Sequence, residues 1–567
     1  MTSLLLACLI LLLPAANEPL VQSFDFSHDA GLATVASGEG AERDGVGPKI
    51  ENGELMVLEP WWRLKTSVGL DAPSDEGARR LQMSFELALS RGSEGVGVAW
   101  LDTERHGKRG PAPPVRAWEG PNILGSLSLG FDASNPWTSE PFRGSGNIHH
   151  RPEHEISLHW DGRERFKKRT QTDFRDEEPR RVKWEVQWVP GGARVDLTLG
   201  DEVVFDGYFL AGVTPYAGRA AFGGHNAETA GWATVDDLEL RLEDRYAPEE
   251  GGFPDPVEVI AIERALNNRD HPSTDGLASF PEASADFARV LMTLRLDEPV
   301  DGFDPWDRLA HVYVEDERLG LVELLRYITP FDRGYQWTVD VSDFRSLLQG
   351  ERRIEQFCET YAEGWRVSVG FHFYPRPEHS PKEPEPFRIE RLWEGPCVIG
   401  DPDQPPSDFF VPRTIAVPQG ASSAEVRTVV TGHGLSPNSE NAAEFMPLER
   451  TLTINGTPHA NELWKTDNYL NPCRPQGGTW KYDRAGWAPG DVVVPWEVPC
   501  PVAAPALQFG YALAPYINEN RGGAWDPFHQ VTSYVVFYRD LVPPPEAEDD
   551  AIPAESQAPD PSAPALP

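Results

Sequence analysis

Apolar side chains alternate with polar ones along much of the chain, and a period of two residues is the spacing of β-strands. At residues 182–188, apolar residues occupy every second position between charged or polar neighbours. The alternation returns at residues 195–199, and a Gly-Asp turn then leads into another apolar segment. Glycine and proline, at 50 and 54 residues, supply many turns between such segments. The sequence therefore predicts an all-β fold made of sandwiches.

The alternating segments divide the chain into three β units. We predict sandwiches at residues 22–245, 280–412 and 413–541, with a linker at 246–279, where turn-forming residues surround one short apolar segment. The last 26 residues, 542–567, are rich in proline and acidic residues and contain no Lys or Arg, which predicts a disordered tail.

The first 17 residues are typical of a secretory signal sequence. The apolar run from Leu4 to Leu13 is followed by Pro14 and two alanines, and it is too short for a membrane span of about 20 residues. No Lys or Arg precedes the run, and Cys8 leaves a lipoprotein as the alternative. We expect a secreted, periplasmic or cell-surface protein without a transmembrane segment.

Net charge and cysteine content limit the partners and the compartment. The chain has 51 basic and 89 acidic residues, a net charge of −38, which repels phosphate and excludes a nucleic-acid binder. After the first 17 residues four cysteines remain, and an even number in an oxidising compartment permits two disulfides in three possible connectivities. These cysteines are Cys358, Cys397, Cys473 and Cys500.

One segment of the first unit suggests a calcium site. Asp132 and Asn135 lie in the sequence GFDASN, and EISLHWDG follows at residues 155–162. These segments resemble the concanavalin A-like jelly roll of laminin G and legume lectin modules, in which an Asp and an Asn on such a strand hold calcium. The resemblance makes Asp132 and Asn135 candidate calcium ligands, although next to Pro136 they are also typical turn residues.

Several common catalytic signatures are interrupted or absent. His150 and His154 match the H-x-x-E-H pattern by letter, but Pro152 lies between them and the pattern requires a helix. The sequence contains no His-x-His, no G-x-S-x-G and no phosphate-binding loop. Carboxylates are therefore the remaining candidates for catalysis.

Three carboxylates have suitable neighbours. Asp307 lies between Trp306 and Arg308, and a carboxylate beside a guanidinium and an aromatic ring is suited to acid–base chemistry, although a surface ion pair is the simpler interpretation. Glu444 has small and apolar neighbours, which indicates burial and a raised pKa. Glu359 precedes a turn and an apolar strand.

Arg484 lies in the loop GGTWKYDRAGWAPGD, which belongs to a series of motifs spread over residues 280–541. In chain order these are FPEASADFARVLMTLRL, DPWDRLAHVYV, LRYITPF, VDVSDFRSLLQG, CETYAEGW, VTGHG, NAAEF, TLTING and YDRAGWAPGD. In order and spacing the series resembles the peptide:N-glycosidase F family, bacterial amidases that remove intact N-linked glycans from asparagine. The resemblance implies two adjacent eight-stranded jelly rolls, a fold shared with peptidylglycine monooxygenases, with the site between them and no metal or other cofactor.

The resemblance also implies a role for individual residues. Asp307 matches the principal catalytic aspartate of the family, Glu444 a glutamate that contacts substrate, and Glu359 a supporting glutamate. Tyr361 and His433 stand where the family has tryptophan. The implied substrate-binding residues are Arg308, Arg484, Trp306, Tyr361 and His433.

We therefore expect a secreted glycoamidase that acts on N-glycoproteins or glycopeptides, converts asparagine to aspartate and releases the glycan as a glycosylamine. The first unit is then a glycan-binding module by hypothesis. One alternative is a non-catalytic glycan-binding surface protein on the same fold, which the changed aromatic residues leave open. A copper monooxygenase of the related fold is the other alternative, and the missing His-x-His argues against it.

Overall fold

A computed structural model of the chain is nearly all β, as the alternation predicts. The residues it describes are 18–26, 32–133, 154–227, 230–247, 252–282, 286–377, 383–434, 443–518 and 526–541. The predicted signal sequence, the acidic tail and Asn135 lie outside them. Of the described helices, α1 (Thr103–His106) and α2 (Pro406–Phe409) are short, and none is long and apolar enough to cross a membrane.

The first sandwich packs two sheets face to face. In chain order its described strands are β1 (Leu20–Phe24), β2 (Ala33–Ser37), β3 (Lys49–Glu51), β4 (Glu54–Leu58), β5 (Lys65–Gly69), β6 (Gly77–Leu89), β7 (Gly95–Asp102), β8 (Leu127–Asp132), β9 (Glu155–Trp160), β10 (Arg163–Arg169), β11 (Arg180–Val189), β12 (Gly192–Leu199), β13 (Glu202–Ala211), β14 (Gly218–His225) and β15 (Ala233–Tyr246). One sheet has the order β13-β12-β11-β6-β15-β4-β3, with β1 also paired to β15, and the other β10-β9-β8-β7-β14-β5-β2. The alternation predicted on β11 is observed, because Val182, Trp184, Val186 and Trp188 are all buried.

The second and third sandwiches have the same construction. The second contains β16 (Val257–Asn267), β17 (Ser273–Phe280), β18 (Phe287–Asp297), β19 (Leu309–Asp316), β20 (Gly320–Ile328), β21 (Gln336–Asp340), β22 (Gly350–Cys358) and β23 (Trp365–Pro375). The third contains β24 (Glu385–Val398), β25 (Arg413–Ala416), β26 (Ser423–His433), β27 (Leu448–Ile454), β28 (Thr457–Leu463), β29 (Trp496–Cys500), β30 (Ala506–Leu513) and β31 (Phe528–Arg539). Each packs two sheets of four described strands: β16-β23-β18-β21 on β17-β22-β19-β20, and β24-β31-β26-β29 on β25-β30-β27-β28.

The structure corrects two of the predicted boundaries. Residues 246–279 are not simply a linker, because β16 and β17 pair with β23 and β22 of the second sandwich. Both are edge strands, and their exposed apolar residues, such as Ile260 and Leu277, obscure the alternation. The boundary at residue 412 is also wrong, since β24 pairs along its length with β31 and belongs to the third sandwich.

The second and third sandwiches share part of their core. Ile389, Tyr534 and Val536 of the third sandwich pack into the core of the second. Backbone hydrogen bonds also cross between them, from Val493 N to Arg326 O at 2.9 Å and from Ile328 N to Asp491 O at 3.0 Å. This close interface fixes the loops that meet at its end.

Candidate active site

The loop before β19 is held rigid by Asp304, a residue that the sequence analysis missed. Its buried carboxylate accepts hydrogen bonds from Trp306 N at 2.8 Å, from Arg308 Nε at 3.1 Å and from Thr360 Oγ1. The backbone N–H of Arg308 donates to Thr329 Oγ1 at 2.8 Å. These bonds fix the loop on both sides of Asp307. The spacing of Asp304 and Arg308, four residues apart, was the available sequence signal.

Asp307 of the second sandwich meets Glu444 of the third across one guanidinium. Arg484 Nη2 lies 3.8 Å from Asp307 Oδ2, and Arg484 Nε donates to Glu444 Oε1 at 3.1 Å. The Arg484 side chain is 1% exposed, whereas the two carboxylates are 18% and 20% exposed. The structure therefore brings together three residues that the sequence predicted for one site, separated by up to 177 positions (484 − 307).

Arg484 is fixed by its own loop. Its Nη1 donates to the carbonyl oxygens of Thr479 and Tyr482, at 2.8 and 3.1 Å, and its Nη2 donates to Thr479 Oγ1 at 2.8 Å. The guanidinium also packs against the rings of Phe445 and Trp487, with 5.2 and 4.7 Å to the centroids. An arginine with its donors engaged in this way orients the carboxylates beside it.

Burial shifts both carboxyl groups toward their neutral forms. Desolvation raises the pKa of Asp307, against the opposing charge of Arg484. Desolvation also raises the pKa of Glu444 to about 7, and the charge of Asp307 adds to that rise, while Arg484 opposes it. Two acids whose pKa values are raised in this way are suited to accepting and donating protons.

Polar and aromatic groups at the edge of this site face solvent. Trp306 is 58% and Tyr361 70% exposed, and the Arg308 guanidinium lies 5.5 Å from the centre of the Tyr361 ring. The Nη groups of Arg308 donate to none of the residues that the structure describes. Among the described residues of the site, Arg308 is thus a cation whose Nη groups are available to a ligand.

Two further predicted site residues differ in their surroundings. Glu359 is exposed and forms no hydrogen bond or ion pair with any described residue, so its role in the site stays a prediction. His433 is partly exposed, its ring stacks on Trp487 and on Phe528 with 5.4 Å to each centroid, and burial lowers its pKa to about 3. Trp487 also contacts Arg484, so His433 supports the site indirectly, through the ring of Trp487.

The predicted calcium ligand Asp132 already has a cationic partner. Lys167 Nζ lies 2.8 Å from Asp132 Oδ2 and 2.8 Å from Glu155 Oε2. Burial raises the pKa of Asp132 to about 6, against the opposing charge of Lys167. With Asn135 outside the described residues, calcium binding stays a prediction.

The predicted disulfides are absent from the described residues. All four cysteines are buried free thiols, in the core of the second sandwich (Cys358), in that of the third (Cys397 and Cys500) and in the loop after β28 (Cys473). Burial raises the pKa of each of these thiols, to about 12 for Cys397, Cys473 and Cys500. Even number alone therefore misled the prediction.

Comparison with known proteins points to the same half of the chain. Residues 406–526 match the family model described as peptide-N-glycosidase F, C terminal. This part of the chain is similar to peptide-N-glycosidase F. The resemblance predicted from the motifs is thereby confirmed. The matched range contains Glu444 and Arg484, whereas Asp307 lies outside it.

The similarity to a curated relative reaches beyond residues 406–526. The chain is 27% identical over 294 residues to peptide-N(4)-(N-acetyl-beta-D-glucosaminyl)asparagine amidase F of Elizabethkingia miricola, covering 48% of this chain and 81% of the relative. A crystal structure of peptide-N(4)-(N-acetyl-beta-D-glucosaminyl)asparagine amidase is 24% identical with a TM-score of 0.45, covering 51% and 97% of the two chains. The structure of PNGF-II is 12% identical with a TM-score of 0.43, covering 82% and 99%.

Proposed function

We propose that the chain is a glycoamidase that hydrolyses the amide bond between asparagine and the first GlcNAc of N-linked glycans. The observation that carries this proposal is the meeting of Asp307 and Glu444, from two different sandwiches, on the buried guanidinium of Arg484. The similarity of residues 406–526 to peptide-N-glycosidase F supports it. The products are aspartate in the peptide and a glycosylamine.

Asp307 acts as the general base. Its pKa is raised by burial, which makes the ionised form a stronger base than an exposed aspartate. A water molecule attacks the amide carbon as one of its protons passes to Asp307. The loop that Asp304 fixes holds this carboxylate in one position, and such positioning supplies part of the rate enhancement.

Glu444 binds the sugar and assists the leaving group. With a pKa of about 7, it is partly protonated at neutral pH and donates a hydrogen bond that an ordinary glutamate does not. Collapse of the tetrahedral intermediate breaks the C–N bond, and a proton from one of the two acids goes to the departing nitrogen. The amine then leaves in its neutral form and the peptide retains the carboxyl group.

The two arginines have different tasks in this scheme. Arg484 has its donors engaged and keeps both carboxylates in place. Arg308, whose Nη groups donate to no described residue, stabilises the negative charge that develops on the amide oxygen. The exposed rings of Trp306 and Tyr361 provide flat apolar surfaces for the faces of the sugar.

The test is a reaction of purified protein with a denatured N-glycopeptide in water enriched in oxygen-18. Conversion of asparagine to aspartate with one heavy oxygen in the new carboxyl group, followed by mass spectrometry, supports the proposal. Asp307→Asn should abolish conversion, whereas Asp297→Asn, which alters the ion pairs of Asp297 with Arg264 and Arg295, should not. If neither wild type nor variants convert several glycan types while a glycan array shows binding, the non-catalytic alternative replaces the proposal.

A further inference from the structure

The loop that carries Arg484 is long and has little regular structure. It runs from residue 464 to 495 between β28 and β29, and its described regular structure is the short turn Asn468–Leu470. Part of it is anchored to the second sandwich, where Arg333 Nη1 donates to the carbonyl oxygens of Cys473 and Pro475 at 2.9 and 2.7 Å. A segment of this length needs several such anchors, because its ordering costs conformational entropy at every residue.

The first sandwich supplies another anchor. Arg474 Nη2 donates to Glu164 Oε1 of β10 at 2.6 Å, and the two side chains are 19% and 21% exposed. Glu164 lies at an irregularity in the pairing of β9 with β10, a feature that turns a side chain away from the regular pleat. The first and second sandwiches also contact each other elsewhere, where the Arg289 guanidinium lies 4.1 Å from the centre of the Phe209 ring. Glu164 therefore lies on a surface that is fixed relative to the second sandwich.

A continuous series of contacts connects this ion pair to Arg484. Arg474 Nη1 donates to the carbonyl oxygens of Leu470 and Asn471, which closes the turn at 468–470. Inside that turn, Asn468 Nδ2 donates to Tyr482 O at 2.6 Å and to Trp487 O at 3.1 Å. Tyr482 O is also an acceptor for Arg484 Nη1. Two of the residues that contact Arg484, Tyr482 and Trp487, are therefore also held by the turn.

We propose that Glu164 is a positioning residue for the active site, and that the first sandwich acts on the reaction by fixing the loop that carries Arg484. This proposal rests on the proposed function for its kinetic consequences. A side chain that keeps two carboxylates in place loses much of its effect when its loop shifts by about 1 Å, even though the substitution is far from the chemistry. The first sandwich then has a role in catalysis that is independent of any glycan binding.

The experiment compares Glu164→Gln, Arg474→Gln and the double variant in the full-length protein, with Glu383→Gln as the matched control. Glu383 pairs with Arg194 across the same two sandwiches at 3.3 Å but does not touch the loop. We expect Glu164→Gln to lower kcat roughly three- to tenfold with KM nearly unchanged, and the control to have no effect. The double variant should be no slower than Arg474→Gln alone, because both substitutions remove one interaction.

Two readouts distinguish positioning from a general loss of stability. Loosening of Arg484 removes positive charge from Glu444, so the alkaline limb of the kcat profile should move to higher pH in Glu164→Gln. Hydrogen exchange of the backbone amides at residues 479–487 should accelerate in that variant and not in Glu383→Gln. Unchanged exchange, or additive losses in the double variant, would overturn the proposal.

Failure of the proposed function gives a different pattern. If wild type converts no glycopeptide, the kinetic measurements have no signal, yet exchange at residues 479–487 still reports whether Glu164 orders the loop. Faster exchange with no activity would reject the glycoamidase proposal and the kinetic role of Glu164 together, while showing that the contact itself holds the loop.

Discussion

Two clusters of carboxylate and guanidinium groups lie between the second and third sandwiches. They differ in how many hydrogen bonds and positive charges each carboxylate has around it. Glu323 accepts from His311 Nδ1 at 2.6 Å and from Arg326 Nε and Nη2 at 2.9 and 2.8 Å. Although burial alone would raise its pKa, Arg326 and His311 hold the pKa of Glu323 well below its usual range. Arg326 continues across the interface to Gln530 O at 2.5 Å and Thr532 Oγ1 at 2.8 Å.

The cluster of Asp307, Arg484 and Glu444 has the opposite balance. Glu444 accepts one hydrogen bond from the guanidinium and Asp307 lies 3.8 Å from it, so burial prevails and both pKa values rise. The same residue types thus form a permanently ionised structural contact in one place and titratable groups in the other. The positive charges beside the carboxylate, together with the hydrogen bonds they donate, decide which of the two results.

The largest expected effect distinguishes the clusters by activity. Asp307→Asn removes the proposed base without changing side-chain shape, and we expect the rate of glycopeptide conversion to fall by about 10²–10⁴. The melting temperature should not fall, because the neutral side chain avoids the cost of burying a charge. A variant that loses its activity only in proportion to its folded fraction would contradict the assignment of Asp307.

The second prediction distinguishes the clusters by stability. Arg326→Met leaves Glu323 buried with only His311 as a charged partner, and breaking such a pair typically costs about 3–5 kcal/mol of unfolding free energy. Denaturant unfolding measures this loss. The activity per folded molecule should stay close to that of wild type, since Arg326 contacts neither Asp307 nor Glu444 among the described residues.

The third prediction concerns pH. Because the pKa of Glu444 is about 7 in the folded chain and near 4.5 when unfolded, its contribution to stability is complete below pH 4.5 and is lost as the pH rises through about 7. Glu444→Gln lacks this loss. As the pH rises from 4.5 to about 7, the unfolding free energy of the variant should therefore increase relative to that of wild type by about 1–3 kcal/mol.

Glu323→Gln is the matched comparison for this effect and has the opposite sign. The folded pKa of Glu323 is lowered, so its contribution is present above the unfolded pKa and is lost as the pH falls through the folded one. The stability of Glu323→Gln relative to wild type should therefore improve toward acid pH. Denaturant unfolding of both variants over a pH series measures this, and equal slopes would contradict the distinction between the clusters.

The contrast between the clusters also marks what the sequence could predict. Alternation predicted the sandwiches because burial on one face of a strand leaves a direct signal, as on β11. It failed at β16, an edge strand whose exposed face includes Ile260. Asp307, Glu444 and Arg484 were found through motifs. Asp304 was missed, because its role depends on bonds to Thr360 that form only after distant segments meet.

The exposure of Glu359 and the stacking of His433 are features that the motifs do not predict. A motif aligns positions along the chain, but exposure and stacking depend on the neighbours that the fold supplies. The ring of His433 is enclosed by Trp487 and Phe528, which lie 54 and 95 positions further along the chain (487 − 433 and 528 − 433). We accordingly expect Glu359→Gln to change the conversion rate less than threefold, within the range usual for exposed charges.

The smallest expected effect concerns the cysteines. It tests whether the loops at the active site are held by packing and hydrogen bonds or by disulfides. Cys358 is the last residue of β22, two positions before Thr360. Cys473 lies within the loop that carries Arg484, where its N–H donates to Asn471 Oδ1 at 2.8 Å. Both are buried free thiols, so packing and hydrogen bonds hold these segments together. A thiol reductant should therefore leave the melting temperature and the conversion rate unchanged. Alkylation after denaturation without reduction should label all four cysteines. A lower melting temperature in reductant, or fewer than four labels, would instead indicate that the loops at the active site are cross-linked.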